Sequence, residues 1–239
     1  GSIVRTTDAG ARWIEVESGV SSLLLGVRFR GSIGIAVGDK GVILRSTDGG
    51  AHWTSQESGC TAPLLAISFG SEHHIIVTGN DRTILRSTDA GMTWSKVFGG
   101  EGHSITRVCH TGGSRFFAVS WSGDVFRSTD DGYTWDVVAS LSFLTPTYLS
   151  FVDDTTGYII AHDRTVFRTT NGGTHWEQYG VSVNSDIRDY TMFGAESIMA
   201  VGEAGILYRS TDLGNSWTDL VRGPRSELYG IDFADRLHG

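Results

Sequence analysis

The chain has 239 residues and a formal net charge of −8 at pH 7, which argues against nucleic acid or an anionic membrane surface as its partner, because both need a basic face. It contains no apolar run of the roughly 18 residues that a membrane-spanning helix requires. We interpret its two cysteines, Cys60 and Cys109, as small hydrophobic core residues, with a disulfide as the alternative.

One nine-residue motif recurs six times along the chain: Arg, Ser or Thr, Thr, Asp or Asn, any residue, Gly, two variable residues and Trp. Successive acidic positions lie 40 or 41 residues apart. The repeated positions are the arginines Arg5, Arg45, Arg86, Arg127, Arg168 and Arg209, the acidic or amide residues Asp8, Asp48, Asp89, Asp130, Asn171 and Asp212, and the tryptophans Trp13, Trp53, Trp94, Trp135, Trp176 and Trp217.

Each repeat predicts four short strands, a to d. In the first full repeat these are residues 24–29, 33–38, 42–46 and 52–56, short runs rich in apolar residues with turn residues between them. Four antiparallel strands in about 41 residues, repeated six times, are typical of a β-propeller. We therefore expect an all-β, six-bladed propeller of four-stranded antiparallel blades.

We expect one domain over residues 1–239. The predicted blades 2 to 6 cover approximately residues 22–58, 63–98, 104–139, 146–179 and 187–221.

The two ends of the chain predict how the ring closes. The chain begins within strand c and its last predicted strand is a strand a, residues 228–233. Blade 1 would then be shared by residues 1–17 and 227–239, with the N-terminal strands pairing with the C-terminal strand. Strand b of this blade is either absent or lies outside this sequence, and a fragment of a seven-bladed ring is the alternative to six blades.

The motif itself predicts a turn. The Asp carboxylate can accept N–H groups of its own loop, the Gly can adopt positive φ, and the Trp ring can pack on the blade and donate its indole N–H. Five carboxylates and one amide at equivalent positions around a ring cannot converge on one substrate, and their spacing lacks the ligand pattern of a calcium loop. The pattern therefore indicates no metal and no cofactor. The repeated arginines either bridge blades or form a ring of positive charge.

A ligand site is expected where the blades differ. In a propeller the b–c and d–a turns share one face, and here they vary, whereas the motifs occupy the other face. The candidate contact residues on the variable face are His103, Trp121, Tyr148, Arg188, Tyr190, Glu227 and Tyr229. Trp121 lies outside the motif and is either a contact residue or packs on the next loop.

The motif resembles the Asp-box, or bacterial neuraminidase repeat. Together with the Ala-Val-Gly runs beginning at residues 36 and 200, it makes the chain similar to the photosystem II stability/assembly-factor family. This resemblance implies a non-enzymatic scaffold that holds a protein or peptide during assembly and uses an arginine patch, and it favours a location outside the cytoplasm or secretion. We expect the chain to be a monomer.

The Asp-box also occurs in sialidases, xyloglucan-degrading glycosidases and the sortilin receptor domain, so two alternatives remain. A sialidase-like enzyme would need an arginine triad, a nucleophile pair and an acid, with candidates Asp186, Arg188, Tyr190, Arg225, Glu227 and Tyr229. A xyloglucanase-like enzyme needs two opposed carboxylates across a cleft. Short loops leave little room for a cleft, so we favour a scaffold over a glycosidase or a lectin-like sugar-binding module.

Overall fold

A computed structural model describes residues 1–141, 145–161, 165–179, 187–192, 197–212, 216–220 and 226–231. These residues form strands and two single turns of 3-10 helix, at Asp39–Gly41 and Glu203–Gly205. The strands are β1 Ile3–Arg5, β2 Ile14–Val16, β3 Leu24–Arg30, β4 Ile33–Gly38, β5 Ile43–Ser46, β6 Thr54–Gln56, β7 Leu64–Phe69, β8 Ile75–Gly79, β9 Ile84–Ser87, β10 Ser95–Phe98, β11 Ile105–Gly112, β12 Arg115–Ser120, β13 Asp124–Ser128, β14 Asp136–Ser140, β15 Pro146–Phe151, β16 Gly157–Ala161, β17 Val166–Thr169, β18 Glu177–Tyr179, β19 Ile187–Met192, β20 Ile198–Gly202, β21 Leu207–Ser210 and β22 Thr218–Asp219.

Strands β3 to β22 form five four-stranded antiparallel sheets, each with its strands in chain order. This confirms the prediction of an all-β fold built from four-stranded blades. The second strand of each sheet is its most buried: β8, β16 and β20 are buried throughout. The fourth strands, such as β22, are largely exposed. Strands buried on both faces explain why the sequence shows apolar runs rather than strict alternation.

The first strand of every four-stranded sheet carries a β-bulge near its start. In β19, Ile187 pairs with Gly202 and Asp189 pairs with Val201, which leaves Arg188 as an extra residue outside the ladder. The equivalent extra residues in the other four sheets are Leu25, Leu65, Thr106 and Thr147. A bulge re-aims the side chain that it carries, and this matters for the site described below.

The chain divides into two compact units, which we call unit 1 (Gly1–Ser120 with Phe126–Asp136) and unit 2 (Trp121–Val125 with Val137–Gly239). In unit 1, buried side chains such as Ile35, Leu64 and Ile75 form one core cluster, and Ile76, Phe116 and Phe126 belong to a second. Both cysteines are free thiols in unit 1. Desolvation raises the pKa of the Cys109 thiol to about 12.

Unit 2 has its own core. Its buried cluster includes Tyr158, Val166, Ile187, Tyr190 and Ile198. No helix within the described ranges has the length and apolarity needed to span a membrane.

Closure of the ring is not seen in the described residues. Strands β1 and β2 form a sheet of two, with Val4 opposite Glu15, and residues 226–231 form no strand. The remainder of the predicted last strand, residues 232–233, lies outside the described residues. Pairing of the two chain ends stays a prediction.

Candidate functional site

Each Asp-box motif is closed by its own hydrogen bonds, and the fourth box shows the pattern. Asp130 Oδ1 accepts the N–H of Thr134 (2.9 Å), and Asp130 Oδ2 accepts the Thr134 hydroxyl (2.6 Å). The buried Ser128 hydroxyl donates to Asp130 Oδ1 (2.8 Å) and accepts the N–H of Gly132 (2.8 Å). Trp135 Nε1 donates to the Gly132 carbonyl (3.0 Å). The polar groups of the motif are therefore used within the turn.

The same N–H to oxygen bond occurs in the other boxes. The pairs, all at 2.9–3.0 Å, are Arg12 to Asp8, His52 to Asp48, Thr93 to Asp89, His175 to Asn171 and Ser216 to Asp212. Asn171 uses its amide oxygen where the other boxes use a carboxylate. Each oxygen faces its own loop, so these residues do not converge on a ligand.

These hydrogen bonds predict sensitivity to acid. For Asp130, burial raises the pKa, but the hydroxyl and N–H of Thr134 and the Ser128 hydroxyl outweigh it and lower the pKa to about 2. The pKa of Asp212 is also lowered, mainly by Ser216. Because the folded-state pKa lies below the unfolded value of about 3.9, the carboxylates stabilise the fold above pH ~4, and this stability is lost as pH falls towards about 2.

Asn171 shows that an amide fits the motif, and an amide does not titrate. We therefore expect Asp130→Asn to lose less of its free energy of unfolding, measured with urea, between neutral pH and pH about 3 than the native chain does. Glu177→Gln, at an exposed position of β18, is the matched control and should leave the loss unchanged. An identical acid loss in Asp130→Asn and the native chain would contradict the assignment.

Three of the repeated arginines in unit 1 link successive repeats. The Nε atoms of Arg5, Arg45 and Arg86 donate at 2.7–2.8 Å to the carbonyls that follow the acidic residue of the next box, those of Gly49, Ala90 and Asp131. The Arg86 guanidinium also lies 5.7 Å from the Tyr133 ring centroid. These three side chains are half-buried, so they bridge sheets rather than form a free ring of charge.

The predicted contact residues fall into different environments. In unit 1, His103 is exposed just before β11. In unit 2, the Trp121 ring is 52% exposed, and its indole N–H donates to the Thr145 hydroxyl. Trp121 is thus both exposed and anchored to the loop that precedes β15. Tyr148 is half-buried and packs against the unit 2 core.

Tyr190 is a correction to the prediction. Its side chain is 2% exposed and packs edge-on against Trp217, with ring centroids 6.1 Å apart. Ile187 and Tyr190 are both buried although they lie three residues apart, which strict strand alternation does not allow. The bulge at Arg188 shifts the alternation and places Tyr190 in the core rather than on a binding surface.

The other predicted residues of unit 2 meet in one place. Arg188 Nη2 lies 2.7 Å from Glu203 Oε1 and 3.7 Å from Glu227 Oε2, and the Tyr229 hydroxyl donates to Glu227 Oε2 (2.5 Å). We call these four residues the Arg188 cluster. The predicted candidates Asp186 and Arg225 lie outside the described residues. No set of three or more potential metal ligands occurs in the parts of the chain that the structure describes.

Three separate segments build the Arg188 cluster. Arg188 is the bulged residue of β19, Glu203 begins the 3-10 turn that follows β20, and Glu227 and Tyr229 lie in residues 226–231. The last segment is held by a backbone hydrogen bond from Leu228 N–H to the Gly202 carbonyl (3.0 Å) and by a hydrogen bond from Ile231 N–H to the side-chain oxygen Asp189 Oδ2 (2.9 Å). Sequence reasoning missed Glu203, although it lies in one of the variable b–c turns.

A family model described as photosynthesis system II assembly factor YCF48 matches residues 5–141 and 138–227. The chain belongs to the YCF48 family. The resemblance expected from the repeated Asp-box motif is thereby confirmed. No curated protein matches the chain.

Solved structures show the same propeller fold. A structure of YCF48 bound to D1 peptide has a TM-score of 0.63 and 17% identity over 90% of this chain and 88% of that chain. YCF48 from Cyanidioschyzon merolae has a TM-score of 0.64 and 18% identity over 94% of both chains. An ancestral GH74 enzyme has a TM-score of 0.71 and 17% identity. The match covers 86% of this chain but only 32% of the enzyme.

Proposed function

We propose that this YCF48-family chain is a non-enzymatic scaffold that binds a segment of a partner protein, and that the Arg188 cluster forms part of the contact surface. The observation that carries the proposal is that three variable segments bring an arginine, two glutamates and an exposed tyrosine together. Family membership and the peptide-bound YCF48 structure support a protein or peptide as the ligand.

The Arg188 cluster has the composition of a recognition surface. Tyrosine and arginine are enriched among residues that dominate binding energy at interfaces. Tyr229 is 73% exposed, and the hydrogen bonds of residues 226–231 hold it in place before a ligand arrives. Pre-positioned groups bind with a smaller loss of conformational entropy.

Several features favour binding over hydrolysis. The Asp-box carboxylates face their own turns, and Glu203 and Glu227 both contact the same guanidinium. The GH74 enzymes that share the fold are about three times as long as the part that matches this chain. We therefore expect no turnover of xyloglucan or sialosides.

The test is selection from a random peptide library displayed on phage, followed by calorimetric titration of the selected peptides and of the D1 peptide. Arg188→Ala and Tyr229→Ala should each weaken binding by at least about fivefold. Met92→Ser, at an exposed position of an Asp-box in unit 1, is the control and should bind normally. Absence of any selected peptide, or equal binding by all three variants, would contradict the proposal.

We also propose that the ring closes through residues 228–233. Their sequence, Leu-Tyr-Gly-Ile-Asp-Phe, repeats the pattern Leu-Leu-Gly-Val-Arg-Phe of β3. Residues 228–233 would then supply strand a of the blade whose strands c and d come from residues 1–17.

A further inference from the structure

We propose that the Arg188 cluster receives a basic side chain, lysine or arginine, from the partner. This inference rests on the proposed function and specifies its ligand. It predicts that the bound segment is cationic at the position that contacts the cluster.

The local charge of the cluster is negative. Among the residues that the structure describes, the Arg188 guanidinium faces two carboxylates, through Glu203 Oε1 and Glu227 Oε2. The second oxygens, Glu203 Oε2 and Glu227 Oε1, accept no hydrogen bond from the residues that the structure describes. The glutamate side chains are 41% and 42% exposed, so these oxygens can accept N–H groups from an incoming ammonium or guanidinium.

Tyr229 adds a second group suited to a cation. Its hydroxyl is occupied by Glu227, and that hydrogen bond raises the pKa of Tyr229, so the phenol stays neutral. With its hydroxyl fixed, the largely exposed ring can offer a face to a cation, which the ring quadrupole attracts. A carboxylate brought to the same place would meet two glutamates and would have to displace one of them from Arg188.

The net charge of the unit 2 sequence has the same sign. Unit 2 contains 14 Asp and Glu residues against 7 Arg and no Lys, a net charge of −7 out of −8 for the whole chain. Unit 1 is almost neutral, with 13 acidic and 12 basic residues. A field of one sign raises the local concentration and association rate of ligands of the opposite sign. The difference in net charge between the two units therefore favours the approach of basic segments to unit 2, which carries the Arg188 cluster.

The probe is Nα-acetyl-arginine amide, with the norleucine and glutamate amides as matched comparisons, titrated into the full chain by NMR. We expect the arginine amide to shift the Tyr229 ring signals and the other two amides to leave them unchanged. The Glu203→Gln, Glu227→Gln double variant should weaken the interaction about tenfold. Glu177→Gln, the same substitution at an exposed position of β18 in unit 2, should bind like the native chain.

Shifts of equal size with norleucine amide, preferential binding of glutamate amide, or an unchanged affinity in the double variant would overturn the inference. Selected phage peptides that need Arg188 and Tyr229 but carry no basic residue would also overturn it, while leaving the proposed function intact. If no peptide is selected, the proposed function fails as well, so the two failures are distinguishable.

Discussion

Trp135→Ala is expected to destabilise the protein by about 3–5 kcal/mol, the usual cost of deleting a large buried aromatic side chain. Trp135 is 8% exposed, packs with Phe116 and Phe126 in the second core cluster of unit 1, and donates its indole N–H to Gly132. For a chain of this size the loss corresponds to a fall in melting temperature of roughly 6–20 °C, which calorimetry or circular dichroism can follow.

The chain provides its own control at the same motif position. Trp13 is 59% exposed, so Trp13→Ala removes little buried surface and should change the melting temperature by only a small fraction of that fall. If the two substitutions were equally damaging, burial would not be the reason for the tryptophan, and the packing role that we assign to Trp135 would be wrong.

Gly132→Ala is expected to cost about 2–4 kcal/mol, because backbone strain and overpacking act together. Gly132 has φ +81°, in the left-handed region, and an added Cβ would lie 2.3 Å from Ile76 Cδ1 and 3.1 Å from Ile76 Cγ1. Ile76 is fully buried in the same cluster, so it has little room to move. Urea unfolding at neutral pH measures the loss.

Gly10→Ala separates the two contributions. Gly10 has a similar φ of +88°, but a Cβ there would come no closer than 4.0 Å to Trp13 Nε1. Only the backbone strain remains, so we expect a loss of about 1 kcal/mol. A loss at Gly10 as large as that at Gly132 would show that the contact with Ile76 contributes nothing.

The repeat made the fold predictable because period, strand content and turn chemistry are all local. The spacing of the acidic residues placed one four-stranded sheet in each full repeat. The motif also predicted hydrogen bonds within its own turn, because Ser and Asp side chains at these spacings can bond to nearby backbone N–H groups. The sequence left open whether the repeated arginines bridge blades or form a ring of positive charge. Bonds such as that from Arg86 to the Asp131 carbonyl decide the question, but they join residues far apart in sequence, which a local pattern does not show.

The candidate site was less predictable for a physical reason. Arg188, Glu227 and Tyr229 were expected near a variable face, but Tyr190 was assigned to the same surface because regular alternation does not anticipate a bulge. Glu203 escaped notice because its partner, Arg188, is 15 residues away and meets it only through the register of β19 with β20. Side-chain direction depends on pairing, and pairing is a property of two strands rather than of one.

The bulge in every first strand also bears on how such a protein can change its ligand. The extra residue belongs to no ladder pair, and in this chain it is Leu, Leu, Thr, Thr and Arg in successive sheets. A substitution there alters one side chain while the pairing of the sheet is kept. Where the extra side chain is not buried, as at Leu25, Leu65 and Arg188, specificity can therefore evolve without a longer loop, and protein design can start from the same positions.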